Sequence, residues 1–256
     1  MKSVMRFAVI VALAMVSLVQ IRAQQPAKPG VPDITGSWDR LGFGARLSEE
    51  QRKFLPPQGG GQPPLKPEAR AEWQARVQAA READAKGQPL ATSATHCLPE
   101  GMPAMMGATF PMEILQSKGQ VTIIEEAYTQ VRRILLDRPQ KAIEDVEPGF
   151  YGHSVGRWEG DTLVVNTIGV KESVRFQNAP HSANMRITER MHLVAPDILW
   201  DEVTIEDPAT LEKPWTVTYA YRRNPNYTLL EYVCEDNREY ADDQGRQKIR
   251  IGQPQK

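Results

Sequence analysis

The chain has 256 residues, a formal net charge of −1 and two cysteines. So near-neutral a balance supplies no long-range field, and no Lys/Arg cluster forms the basic face that nucleic-acid binding needs. The short basic pairs, Arg132-Arg133 and Arg222-Arg223, read as exposed positions beside strands.

Lys2 and Arg6 flank the start of an apolar run from Phe7 to Val19, and Ala23 offers a small residue before Gln24 and Gln25. That pattern predicts a secretory signal peptide over 1–23. The run is shorter than the ~20 residues a membrane span requires. The expectation is an exported chain, periplasmic or extracellular, with no membrane span in its mature part. In an oxidising compartment, Cys97 and Cys234 are expected to pair as a disulfide. The alternative is two free thiols, one of them a metal ligand.

Residues 24–34 contain Pro26, Pro29 and Pro32 and read as a flexible lead-in. Ile34 to Trp38 reads as a short opening strand. Ser48 with Gln51 three residues on matches a capping box and starts a short helix. Gly59 to Gly61 lie between prolines and mark a loop. A long helix follows over 67–86. Pro67 suits its first turn, and Gly87 and Pro89 stop it. Its narrow apolar stripe (Ala69, Trp73, Val77 and Ala80) suits a helix lying on a surface.

From Met112 the apolar period becomes two. Paired strands are expected at 121–126 with 130–136, and at 152–159 with 162–169 around Gly160-Asp161. Two more pairs are 185–194 with 198–206 around Pro196-Asp197, and 215–223 with 228–234 around Pro225. Hairpins in series without intervening helices argue for an antiparallel meander, closed as a barrel or stacked as a sandwich. The expected organisation is a strand and helical segment at 35–96, a β domain at 97–240 and a polar tail at 241–256. The fold class is mainly β, with one or two N-terminal helices packed outside.

Several runs carry a family resemblance: Cys97 to Pro103, Gly152 to Val165, Thr188-Glu189-Arg190, Asp207-Pro208, and Lys213 to Thr216. Together they resemble an uncharacterised group of exported bacterial β-rich proteins. The resemblance implies a lipocalin-like (calycin-like) barrel and no defined activity. Members of that group often carry a Gly-Arg-Pro-His-Pro-like stretch where this chain has Asp137-Arg138-Pro139-Gln140.

Histidine is the usual acid/base group near neutral pH. On a strand, His153, Val155 and Arg157 share one face, opposite Ser154, Gly156 and Trp158. His153 and Arg157 are therefore expected to share a barrel interior, with His181 entering the next loop and Glu189 orienting an imidazole. The plainer reading makes both histidines loop-flanking polar residues and Glu159 and Asp161 members of a hairpin tip. Cross-strand pairing would account for Glu189-Arg190 and Glu206-Asp207.

Met102, Met105, Met106 and Met112 lie beside His96 and Cys97. Such a set suits adaptable packing or the lip of an apolar cavity, while soft thioethers with an imidazole could also hold copper. Zinc-type spacings such as His-x-His or Cys-x-x-Cys do not occur, so no metal or other cofactor is expected. Nucleophilic catalysis is not expected either, because no Gly-x-Ser-x-Gly elbow is expected and both cysteines are expected to be paired. Trp215, behind Pro214, reads as an aromatic anchor.

The leading functional expectation is periplasmic binding of a small apolar or amphipathic ligand in a barrel cavity. His153, Arg157 and His181 would orient the ligand and the methionines would cover it. The alternatives are a cofactor-free acid/base enzyme of isomerase, dehydratase or hydrolase type using His153 and His181, and an envelope structural or interaction protein.

Overall fold

The computed structural model describes residues 30–42, 47–56, 61–87, 90, 97–234, 239–241, 244 and 247–249. The expected signal peptide, most of the lead-in, His96 and the end of the polar tail lie outside these residues. Nine strands close into one barrel in chain order. They are β1 (Gly36–Arg40), β2 (Met112–Ser117), β3 (Gln120–Glu125), β4 (Gln130–Leu136), β5 (His153–Glu159), β6 (Thr162–Ile168), β7 (Arg186–Ala195), β8 (Ile198–Glu206) and β9 (Trp215–Arg223). Two helices, α1 (Glu49–Arg52) and α2 (Pro67–Ala85), lie outside it, as expected. Ser48 and Gln51 form the capping box of α1. Ala69 and Trp73 of α2 pack against the core.

Every neighbouring pair is antiparallel except β4 and β5. A ring with an odd number of strands cannot alternate direction throughout, so one parallel pair is unavoidable. A parallel neighbour requires a long crossover. Residues 137–152 provide it, with a 3-10 turn at Ile143–Asp145.

Register defines the inner face, because directly paired residues point the same way. Ile134, Ser154, Thr167, Ile187, Ile205 and Trp215 form one such run across six strands. Gly156, Val165, Glu189, Val203 and Val217 form the next. Ser154, Gly156 and Trp158 thus line the interior, while His153, Val155 and Arg157 face outward. This reverses the expected phase of β5. Gly156 explains the choice, since even a Cβ there would lie 2.8 Å from Ile134 Cγ2.

Two boundaries also change. The segment 35–96 is not separate from the β domain, because β1 closes the ring between β2 and β9. Residues 228–234 form no strand beside β9, whose second edge is already paired with Trp38, Asp39 and Arg40. They instead cross outside the ring, where the Leu230 N–H and Tyr227 hydroxyl donate to Glu126. The lead-in is anchored at its end, with Ile34 buried and its N–H donating to Gln116 Oε1. Part of the expected polar tail forms a hairpin of β10 (Glu239–Ala241) and β11 (Gln247–Ile249).

Cys97 and Cys234 are joined, with Cα atoms 5.5 Å apart and a sequence separation of 137. Closing so long a loop lowers the entropy of the unfolded chain by up to ~5 kcal/mol in free energy. The double variant Cys97→Ser/Cys234→Ser should lose a large part of this in denaturant unfolding under non-reducing conditions. A loss below ~1 kcal/mol would mean that the crosslink restricts the unfolded chain little.

Candidate functional site

Among the described residues, three features of this barrel carry polar groups: a cleft at one end, a charged cluster inside and an acidic pair. The cleft lies where β8 ends and β9 begins. Met102, Phe176, Met185, Ile205, Leu211 and Trp215 form its apolar walls, with His181 and Asp207 among its polar members. It encloses about 330 Å³ including its open mouth, but only about 20 Å³ is available to the centre of a water molecule. That is room for about one water, so a larger guest needs its walls to re-pack. The Phe176 and Trp215 rings pack with centroids 4.9 Å apart.

Asp207 builds this end of the barrel. Its carboxylate accepts from the Ser182 N–H (2.6 Å), the Ser182 hydroxyl (2.8 Å), the Thr210 hydroxyl (2.8 Å) and the Ala209 N–H (3.2 Å). Burial pushes this carboxyl upward, but the hydrogen bonds outweigh it and hold Asp207 below the usual aspartate range. His181 is a second clasp. Its Nδ1 lies 2.9 Å from the Ser182 carbonyl and its Nε2 3.1 Å from the Lys171 carbonyl. A carbonyl oxygen only accepts, so either contact requires a proton on the ring nitrogen.

Inside the barrel, Arg132 of β4 is fully buried and donates to Ser154, Thr167 and Glu189. The contact of its Nη1 with Glu189 Oε1 is 2.7 Å, making the pair bidentate. Asp201 lies beside this pair. Burial and the neighbouring Glu189 charge raise its pKa far above the aspartate range, against the pull of Arg132 and Arg40. Neither of its buried carboxyl oxygens has a hydrogen-bond partner. Arg40 lies 4.3 Å from the ring centroid of Tyr219. Tyr221 donates to the Met106 carbonyl. Burial raises the pKa of both tyrosines.

A second acidic pair lies nearer the chain's entry into the barrel. Gln130 Nε2 donates to Glu125 Oε2 at 2.6 Å, and Gln130 Oε1 accepts from the backbone N–H of Glu100 at 3.0 Å. Burial, then the charge of Glu100, raises Glu125 to about 9. Burial likewise raises Glu100.

The sequence-predicted residues therefore separate. Met102, His181 and Trp215 meet at the cleft. Met105 and Met106 are buried in the core instead of forming a lip. Arg157 is on the outer surface, paired with Glu159 at the hairpin tip. His153 lies outside as well, its Nδ1 3.2 Å from Gln140 Nε2, and burial followed by the Lys141 charge lowers its pKa. Glu189 orients no imidazole, because Arg132 occupies both its oxygens.

Contrary to the expectation of no such motif, residues 152–156 spell Gly-x-Ser-x-Gly. A nucleophile elbow places its serine on a strand-to-helix turn. Ser154 instead lies within β5, buried and hydrogen-bonded to Arg132 and Thr167. Among the described residues no group of three or more His, Cys, Asp or Glu is placed to hold a metal. Met112 is core, and Cys97 is in the disulfide.

Arg132, Asp201, Glu125 and Glu100 are the residues that sequence reasoning missed. Arg132 had been assigned outside with Arg133, yet only Arg133 is exposed. The period-two pattern carried the missing signal, since Arg132 alternates in phase with the buried Gln130 and Ile134. No protein-family model matches the chain, and no curated protein matches it.

Arg132→Met should cost ~3–5 kcal/mol in unfolding free energy, because it leaves Glu189 buried without a counter-charge. Adding Glu189→Leu should restore most of that loss. A single variant as stable as the parent would contradict the burial of the pair. Glu125 sets a pH dependence. The folded chain keeps its proton up to about pH 9, whereas an ordinary glutamate releases it near 4.5. Folding binds a proton across that window, so stability falls with rising pH by up to ~1.4 kcal/mol per unit and levels off above it. Thermal melts of Glu125→Gln from pH 5 to 9 should lack this component.

Proposed function

We propose that this protein is an exported binding protein that takes a small apolar or amphipathic ligand at the end of its barrel. The observation that carries the reading is the meeting of Met102, His181 and Trp215 in one cleft with Phe176 and Met185. Apolar walls with a few convergent polar groups are the usual form of a small-molecule site. Methionine side chains adapt to differently shaped guests, which suits a cleft that must widen on binding. The lumen itself offers less, because Trp38, Met106, Ile114, Ile123 and Arg132 fill it. Export rests on the signal-like start of the chain and agrees with the Cys97–Cys234 disulfide.

The acid/base alternative needs an imidazole free to take a proton from a substrate. Both ring nitrogens of His181 lie against carbonyl oxygens, and His153 faces away from the lumen. Binding is therefore the reading we adopt.

The test uses 1-octanol as probe, by isothermal titration calorimetry on the full chain. Ala179 lines the cleft and is buried, so Ala179→Leu fills the space without removing a wall. Octanol binding should weaken at least about tenfold, a loss of ~1.4 kcal/mol, while the melting temperature shifts by only a few degrees. Unchanged octanol affinity in the variant, or none in the parent, would contradict the reading.

A further inference from the structure

Outside the cleft, a pair of neighbouring carboxyls combines unsatisfied oxygens with the lack of a counter-charge. Glu125 is a buried carboxyl whose pKa the half-buried Glu100 helps to raise, and no cation among the described residues opposes their charge. In the lumen, by contrast, Arg132 opposes Glu189 and, with Arg40, the charge of Asp201, although both Asp201 oxygens also lack a hydrogen-bond partner. Glu125 is only 1% exposed, and its Oε1 has no hydrogen-bond partner. Glu100 Oε2 is likewise buried and unpartnered. Buried polar atoms are nearly always satisfied, so unpaired acceptors in two adjoining carboxyls call for a donor from outside the chain.

The pair is held rather than loose. Gln130 fixes the other Glu125 oxygen and the Glu100 backbone, and it also donates to the Ala127 carbonyl. Gly101 follows Glu100 at φ +74, and a Cβ there would lie 2.6 Å from the Phe150 carbonyl. This close passage brings the chain directly from Glu100 to Met102, a wall of the cleft. Two residues span at most ~7 Å, so Glu100 lies within that distance of Met102 along the backbone, although neither carboxyl lines the cleft itself.

We propose that Glu100 and Glu125 are the head-group site of the ligand and recognise a primary ammonium, with the attached alkyl chain in the Met102–Trp215 cleft. The inference rests on the cleft as the binding site and adds the charge of the guest. An ammonium supplies three N–H donors and one positive charge, matching the unpartnered oxygens of Glu125 and Glu100. A divalent cation fits less well. Calcium takes six to eight oxygens, and no third carboxylate, histidine or cysteine completes a set among the described residues.

Titrations of octylammonium and of 1-octanol into the full chain at about pH 8.5 test this. There Glu125 loses its proton at little cost, while an alkylammonium, like lysine, stays charged. Octylammonium should bind at least about tenfold more tightly than octanol, as expected for charge-assisted hydrogen bonds. Glu100→Gln and Glu125→Gln should each remove that advantage, bringing octylammonium to within about threefold of octanol in the same variant, with thermal melts confirming that both variants fold. The advantage should shrink toward pH 6, where Glu125 is protonated. The other titratable groups facing it are Glu100 and Tyr151, whose hydroxyl is pushed up to about 12 by burial and by Glu125.

Equal affinities in the parent chain, an advantage that survives both substitutions, or calcium binding at the pair in place of octylammonium would overturn the proposal. Octanol binding alone would then still uphold the cleft. Octylammonium binding that needs both glutamates, without any octanol binding, would uphold the head-group site and remove the cleft.

Discussion

The Arg132–Glu189 ion pair crosses the lumen and links strands that are not neighbours. Arg132 belongs to β4 and Glu189 to β7, while its other contacts, Ser154 and Thr167, lie on β5 and β6. One guanidinium therefore connects four consecutive strands, including both sides of the parallel junction. That junction is short, pairing only Ile134–Leu136 with Ser154–Gly156. Arg132 sits just before those paired residues and reinforces the place where the ring departs from regular alternation. The net gain from burying such a pair over an apolar pair is small or negative, whereas removing one partner is costly. Its effect is to fix register. A slip by one residue would turn Arg132 outward and leave Glu189 alone inside.

Filling the lumen in this way sets where a ligand can sit. Trp38 and Arg132 are among the largest fully buried side chains, and Met106 adds its bulk while its carbonyl accepts from Tyr221. The space that a hollow barrel would offer to a guest is taken by the chain itself. The segment 97–107 enters from the disulfide, passes the Glu100–Glu125 pair, contributes Met102 to the cleft and buries Met105 and Met106. The proposed ligand would therefore sit at the end of the barrel, where His181 and Asp207 hold the loop walls through their polar atoms.

The barrel was legible in the sequence where local chemistry decides it. Gly160-Asp161 and Pro196-Asp197 mark turns without reference to distant residues, and β5 to β8 follow from them. The closing contact of β1 with β9 was not legible, because it joins residues far apart in sequence and nothing near 228–234 shows that the β9 edge is taken. The phase of β5 was hidden for another reason. Both its faces carry polar and small residues, so alternation could not separate inside from outside until Gly156 met Ile134. The same ambiguity concealed Arg132 beside Arg133. Buried ionic groups defeat hydropathy patterns, because their burial depends on partners supplied by other strands. Cys97–Cys234 needed only the count of two cysteines and an oxidising compartment, while the meeting of Met102, His181 and Trp215 needed the closed ring.

The central claim is that the lumen is filled and that ligands bind at its end. A crystal structure of the chain soaked with 1-octanol tests this most directly. The account predicts ligand density between Phe176, Met185 and Trp215, with the Arg132–Glu189 pair and the Met106 carbonyl undisturbed. Density inside the ring, with Met106 displaced and Arg132 separated from Glu189, would contradict it.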